Sequence, residues 1–133
     1  MSPVAPGRRV LVGKSMGGLL ATTALLTRPG LFSDYLIISP ALWWDDSFLD
    51  FAQRATIRME AASHREPLPR RTRVWIGAGE GEERLGMLAD VYVLGRALRL
   101  RNDTNLDLTI RVLPREVHET TYMPAFGGYP LWQ

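Results

Sequence analysis

The segment Val10-Leu11-Val12-Gly13-Lys14-Ser15-Met16-Gly17-Gly18 restricts the fold more than any other stretch of the chain. A short apolar run of strand character enters Gly-x-Ser-x-Gly, and the residues from Met16 to Thr27 are then apolar almost all round until Pro29-Gly30 stops them. So abrupt a reversal from strand to helix needs small residues two places either side of the serine, because a Cβ there would clash in the turn. Gly13 and Gly17 are read as meeting that need, with Gly18 letting the helix pack closely on the strands. The turn holds Ser15 in a strained, protruding position at a helix N-terminus, where free N–H groups and the helix dipole favour an oxyanion, and the Met16 N–H is placed to donate to one. A serine in a glycine-rich turn can also act simply as a helix N-cap. The strand before it and the apolar helix after it favour a nucleophile.

The rest of the chain continues the alternation. Tyr35-Leu36-Ile37-Ile38 is a continuous apolar run bounded by Asp34 and Ser39-Pro40, as expected of a parallel strand covered on both faces in mid-sheet. Ser47 to about Ala62 has helical character, and the polar loop after it holds Pro67 and Pro69. Arg73-Val74-Trp75-Ile76 is the next strand and runs into Gly77-Ala78-Gly79. From Glu83 to Arg101 a stripe of Leu88, Val91, Tyr92, Gly95 and Leu98 has helical spacing, and Arg101-Asn102-Asp103-Thr104-Asn105 supplies a turn. Leu106, Leu108, Ile110 and Val112 then alternate with Asp107, Thr109 and Arg111, the pattern of a strand with one wet face near a sheet edge. The expectation is a single α/β domain over residues 1–133, with a mostly parallel sheet of about four strands and helices on both faces.

Composition excludes several chemistries. The chain has no cysteine, which removes disulfides, thiolate zinc sites and a cysteine nucleophile; no metal or organic cofactor is implied. Its net charge of +2 is small, and the local cluster of Arg65, Arg70, Arg71 and Arg73 lacks interleaved aromatics, so it reads as a solvated surface and no nucleic-acid partner is expected. The first residues lack the apolar core of a signal peptide, and no stretch approaches the roughly 20 apolar residues of a membrane span. No membrane partner is expected, and a cytoplasmic location is the default.

In a parallel sheet, reactive groups gather beyond the carboxyl ends of the strands. Ser15 follows the first strand, Glu80 and Glu82 the third, and His118 the fourth. A serine hydroxyl needs a base, and the chain offers two histidines. His64 lies in a polar loop and reads as solvent-exposed. His118 follows both the serine and the acidic segment, giving the order serine, acid, histidine that α/β-hydrolases use. For the acid, spacing does not choose within Gly79-Glu80-Gly81-Glu82-Glu83. Glu83, and Glu82 with it, could instead favour the start of the following helix. Asp45 and Asp46 are reserves.

Gly13-Lys14-Ser15-Met16-Gly17-Gly18, Arg28-Pro29-Gly30-Leu31-Phe32 and above all Ser39-Pro40-Ala41-Leu42-Trp43-Trp44 resemble the esterase family that includes the enterochelin (ferric-siderophore) esterases. The resemblance extends through Gly79-Glu80-Gly81-Glu82 and His118-Glu119, and it puts Glu82 at the acid position. It implies the C-terminal part of an α/β-hydrolase fold and a serine esterase acting on a small-molecule ester, siderophore- or aromatic-acyl-like, with Trp43 and Trp44 as candidates for an acyl pocket. Paired tryptophans pack helices onto sheets equally well. Lys14 stands where a histidine is common and Ala41 where a serine is frequent.

Such esterases place several strands ahead of the elbow strand, and the 14 residues before Ser15 cannot contain them. The elbow strand is therefore expected at a sheet edge, where an apolar strand invites a homodimer, aggregation or pairing with a further segment. The competing readings are a catalytically incompetent hydrolase segment and an α/β interaction domain whose elbow glycines serve packing alone.

Overall fold

The structure, a computed structural model, describes residues 8–42, 67–85, 87–117, 120 and 121. Four strands, β1 (Val10–Lys14), β2 (Asp34–Ile38), β3 (Thr72–Gly79) and β4 (Leu106–Leu113), form one sheet in the order β1-β2-β3-β4, and every neighbouring pair is parallel. Helix α1 (Met16–Thr27) follows β1, and a 3₁₀ turn (Glu80–Leu85) and helix α2 (Met87–Leu100) follow β3.

β2 is the strand whose sequence has no polar face, and the sheet buries all five of its residues. Successive side chains point to opposite faces, which divides the core in two. Tyr35 and Ile37 join Val74, Ile76 and Ala78 beneath Ala21, Leu25 and Leu26 of α1 and Leu88, Val91, Leu94 and Leu98 of α2. Burial pushes the Tyr35 phenol above its ordinary range, leaving it a neutral core residue. Leu36, Ile38 and Trp75 form the cluster on the other face and are at most 1% exposed. Both described helices thus lie on one face of the sheet; the helix expected over 47–62 lies outside the described residues.

Among the described residues the expected elements are present with three changes. The helix expected from Glu83 begins only at Met87, after the 3₁₀ turn over Glu80–Leu85. β3 runs on through Gly77-Ala78-Gly79, because these small residues stay in register with Arg111, Val112 and Leu113 of β4. The inward stripe of α2 includes Leu94 rather than Tyr92, which is 53% exposed. The buried face is centred on Val91, Leu94 and Leu98, and Tyr92 falls on its flank. β4 keeps its wet face at one sheet edge, with Asp107 and Arg111 exposed. β1 takes the other edge and, among the described residues, pairs with β2 alone.

The amino ends of the strands are held by charge. Asp34, 2% exposed, accepts a 2.6 Å hydrogen bond from Arg73 Nε and another from Ser33 Oγ, with Arg8 4.0 Å away. Arg73 was grouped by sequence with a solvated basic loop, but its position on β3 opposite Asp34 makes it the partner of a buried carboxylate. Removing Arg73 takes away the closest cation from a buried carboxylate, so Arg73→Ala should lower stability by about 2–3 kcal/mol in urea denaturation. A loss within experimental error would show that the pair is neutral. The turn after α2 is fastened in the same way. Asp103 accepts the Leu68 N–H at 2.7 Å, and Asn105 Nδ2 donates to the Leu68 carbonyl at 2.7 Å.

Candidate active site

Because the strands are parallel, Lys14, Ile38, Gly79 and Leu113 end at the same side of the sheet, and the segments that follow them meet there. Ser15 is the residue between β1 and α1, with φ 59° and ψ −114°. These angles match the first central position of a type II′ turn, ordinarily a glycine position, and cost a serine about 1–3 kcal/mol. Backbone bonds hold it there. The Ser15 N–H donates to the Ile38 carbonyl at 3.0 Å, and its own carbonyl accepts from Leu19 at 3.1 Å and from Ala41 at 3.0 Å. Met16 is the first helical residue, so its N–H is among the donors an α-helix leaves without an intrahelical acceptor.

The elbow glycines are not equivalent. A Cβ on Gly13 would run into the Gly17 carbonyl, whereas a Cβ on Gly17 would meet nothing within 4 Å among the described residues. The sequence-based requirement for glycine therefore holds at Gly13 and fails at Gly17, because the tight side of the turn is where Gly13 faces the Gly17 backbone. A Cβ on Gly18 would come within 2.8 Å of Pro40 Cα and 3.1 Å of the Ile38 carbonyl, so Gly18 does bring α1 against the end of β2.

Burial separates Glu80 from Glu82, two of the carboxylates that spacing left open. Glu80 is exposed, whereas Glu82 is 1% exposed, carried inward by the 3₁₀ turn. Glu82 Oε2 accepts the Gly79 N–H and, at 2.8 Å, the Ser39 hydroxyl. With that proton engaged, Ser39 Oγ accepts from Thr121 Oγ1 at 3.0 Å. Ser39 and Thr121 are wholly buried. The loop after β4 also presses on the acidic turn. The Gly81 N–H donates to the Glu116 carbonyl at 2.9 Å, and side chains on Gly79 or Gly81 would collide with Glu116 and Val117. Residues on both sides of position 118, Val117 and Thr121, thus border the acidic turn.

His118 itself lies outside the described residues, as do His64, Trp43, Trp44, Asp45 and Asp46; of Glu83 only the backbone, within the 3₁₀ turn, is described. A cavity of about 280 Å³ bordered by Leu25, Leu26, Pro29, Leu68 and Arg101 sits at the far end of α1 from Ser15 and plays no part in this arrangement. No group of three or more metal-binding side chains occurs among the described residues. No helix among them is long and apolar enough to cross a membrane.

The sequence reading missed Ser39 and Thr121. Ser39 has φ 44°, although a residue before proline ordinarily adopts extended angles. Its sequence context thus argues for the wrong conformation. A hydroxyl ending an otherwise fully buried apolar strand was the available signal.

Solved structures share this architecture. The siderophore hydrolases EstB and EstA from Aspergillus nidulans superpose with TM-scores of 0.74 and 0.70 at 24% identity, over 93% and 92% of this chain but 47% and 46% of theirs. The chain thus spans about half the length of the structures it matches, and the likeness at this identity is one of fold. Among curated proteins, the siderophore triacetylfusarinine C esterase of Aspergillus fumigatus is 39% identical over 61 residues, 46% of this chain and 21% of that protein. The siderophore enterobactin esterase of Emericella nidulans is 48% identical over 52 residues, 38% of this chain and 17% of that protein. Residues 2–132 match the family described as "Putative esterase", and the chain belongs to this esterase family.

Proposed function

We propose that this chain carries the nucleophile, acid and base of a serine carboxylic-ester hydrolase: Ser15, Glu82 and His118. The observation that carries the reading is the imposed conformation of Ser15, a non-glycine residue held at φ 59° by backbone bonds to Ile38, Leu19 and Ala41 at the carboxyl ends of parallel strands. Folds tolerate such strain mainly where the residue has work to do.

In this mechanism Ser15 Oγ attacks the ester carbonyl carbon as His118 takes its proton. The developing oxyanion receives the Met16 N–H, and Glu82 holds the imidazole in the productive tautomer. Collapse of the tetrahedral intermediate expels the alcohol, which leaves with the proton from His118. A water molecule, deprotonated by His118, then attacks the acyl group, freeing the carboxylic acid and returning the proton to Ser15 Oγ. Siderophore-type or aromatic acyl esters are the proposed substrates, supported by what the curated relatives are called and by Trp43-Trp44, which follow β2 after Ser39-Pro40-Ala41-Leu42.

A fluorophosphonate probe tests this reading, since it phosphonylates only an activated serine. Tryptic mass spectrometry should locate the adduct on Ser15, His118→Ala should abolish labelling, and the protein should release p-nitrophenol from short acyl esters. An adduct elsewhere, or none, would overturn the assignment.

A further inference from the structure

Four residues, 38–41, touch both halves of the candidate site. On one side the Ile38 carbonyl and the Ala41 N–H bond the Ser15 peptide at 3.0 Å each. On the other, the Ser39 hydroxyl donates to Glu82 at 2.8 Å. The bracket is itself fastened to the sheet, since the Ser39 N–H donates to the Gly77 carbonyl at 2.7 Å, and α1 presses on it through Gly18 and Pro40. The positive φ of Ser39 is what turns its side chain back under the strand ends toward Glu82, against the ordinary preference of a residue before proline.

We propose that Ser39 is a positioning residue for hydrolysis, fixing the carboxyl plane of Glu82 in register with the Ser15 elbow. The assignment rests on the serine-hydrolase reading above. Its physical basis is that Glu82 Oε2 receives two donors from different strands, Gly79 N–H from β3 and Ser39 Oγ–H from the end of β2. Two donors from different strands converging on one oxygen restrict the carboxyl group more than the Gly79 N–H does without Ser39. Thr121, donating to Ser39 Oγ, keeps the hydroxyl proton aimed at Glu82 rather than elsewhere. A carboxylate that wanders no longer holds the imidazole where the nucleophile needs it, so the loss belongs to kcat rather than to substrate binding. Partners of this kind, one bond removed from the reacting groups, typically matter by about 10- to 100-fold.

Ser39→Gly is the informative variant, because glycine accepts the positive φ without strain while removing the CH₂OH group and with it the bond to Glu82. The expected result is a folded protein, in which relief of strain at position 39 offsets part of the cost of the lost buried bonds, with kcat for p-nitrophenyl esters lower by about 10-fold and KM within about twofold. A double-mutant cycle with Glu82→Gln asks whether Ser39 acts through the carboxylate. In the Glu82→Gln background the same substitution should change kcat by less than about threefold. If Ser39→Gly turns over at the parental rate, or costs the same factor with and without the Glu82 carboxylate, the positioning role is wrong while the hydrolase reading stands. If the parent neither turns over esters nor takes the fluorophosphonate on Ser15, the hydrolase reading fails and this assignment with it.

Discussion

Replacing Ser15 by glycine is expected to yield a protein that resists denaturation better than the parent and has lost ester hydrolysis. Ser15 sits at φ 59° and ψ −114°, where its Cβ crowds the backbone. Glycine adopts those angles freely, so the substitution should release about 1–2 kcal/mol of strain. Alanine keeps the Cβ and should leave stability nearly unchanged, which separates relief of strain from loss of the hydroxyl. Both variants remove the proposed nucleophile, and in serine hydrolases that loss lowers kcat by about 10⁴–10⁶. Urea midpoints at equal m-value and initial rates on a p-nitrophenyl ester provide the two readouts. A glycine variant less stable than the parent would mean that the elbow is relaxed around serine, and a variant with more than a tenth of parental activity would remove Ser15 from the chemistry.

The elbow was legible because its constraint is local. Five residues, a strand before and a helix after are enough to force the reversal, and the Gly13 contact with the Gly17 carbonyl lies wholly inside the motif. The central position of β2 was legible for a related reason: Tyr35 to Ile38 present no polar face, and only a strand covered on both sides can use such a run. The difference between Glu80 and Glu82 was not local. It depends on a 3₁₀ turn that carries Glu82 inward onto Ser39, 43 positions away in sequence, and on a loop after β4 that packs against Gly79 and Gly81. Spacing encodes none of those contacts. Ser39 was harder still, because the rule for residues before proline points away from the conformation it adopts. Tertiary bonds to Gly77, Glu82 and Thr121 outweigh that preference.

The two glycines of the elbow should respond oppositely to the same substitution, although the motif treats them alike. Gly13→Ala places a methyl group against the Gly17 carbonyl, a backbone atom at the first turn of α1 that cannot rotate away as a side chain would. Relief requires separating the end of β1 from the start of α1, which also disturbs the Ser15 bonds to Ile38 and Ala41. The expected cost is about 3 kcal/mol or more, at the upper end for overpacking because the obstacle is main chain. Gly17→Ala meets open space among the described residues and replaces a helical glycine, so it should be neutral or stabilising by up to about 1 kcal/mol. Thermal or urea unfolding of the two single variants checks this directly. The sharper readout is fluorophosphonate labelling under native conditions: Gly17→Ala should keep the reactivity of Ser15, while Gly13→Ala should lose it even at temperatures where circular dichroism still reports a folded sheet. Equal tolerance at both positions would mean that the elbow is wider than its backbone bonds describe, and that Ser15 is not held by the turn in the way the proposed chemistry requires.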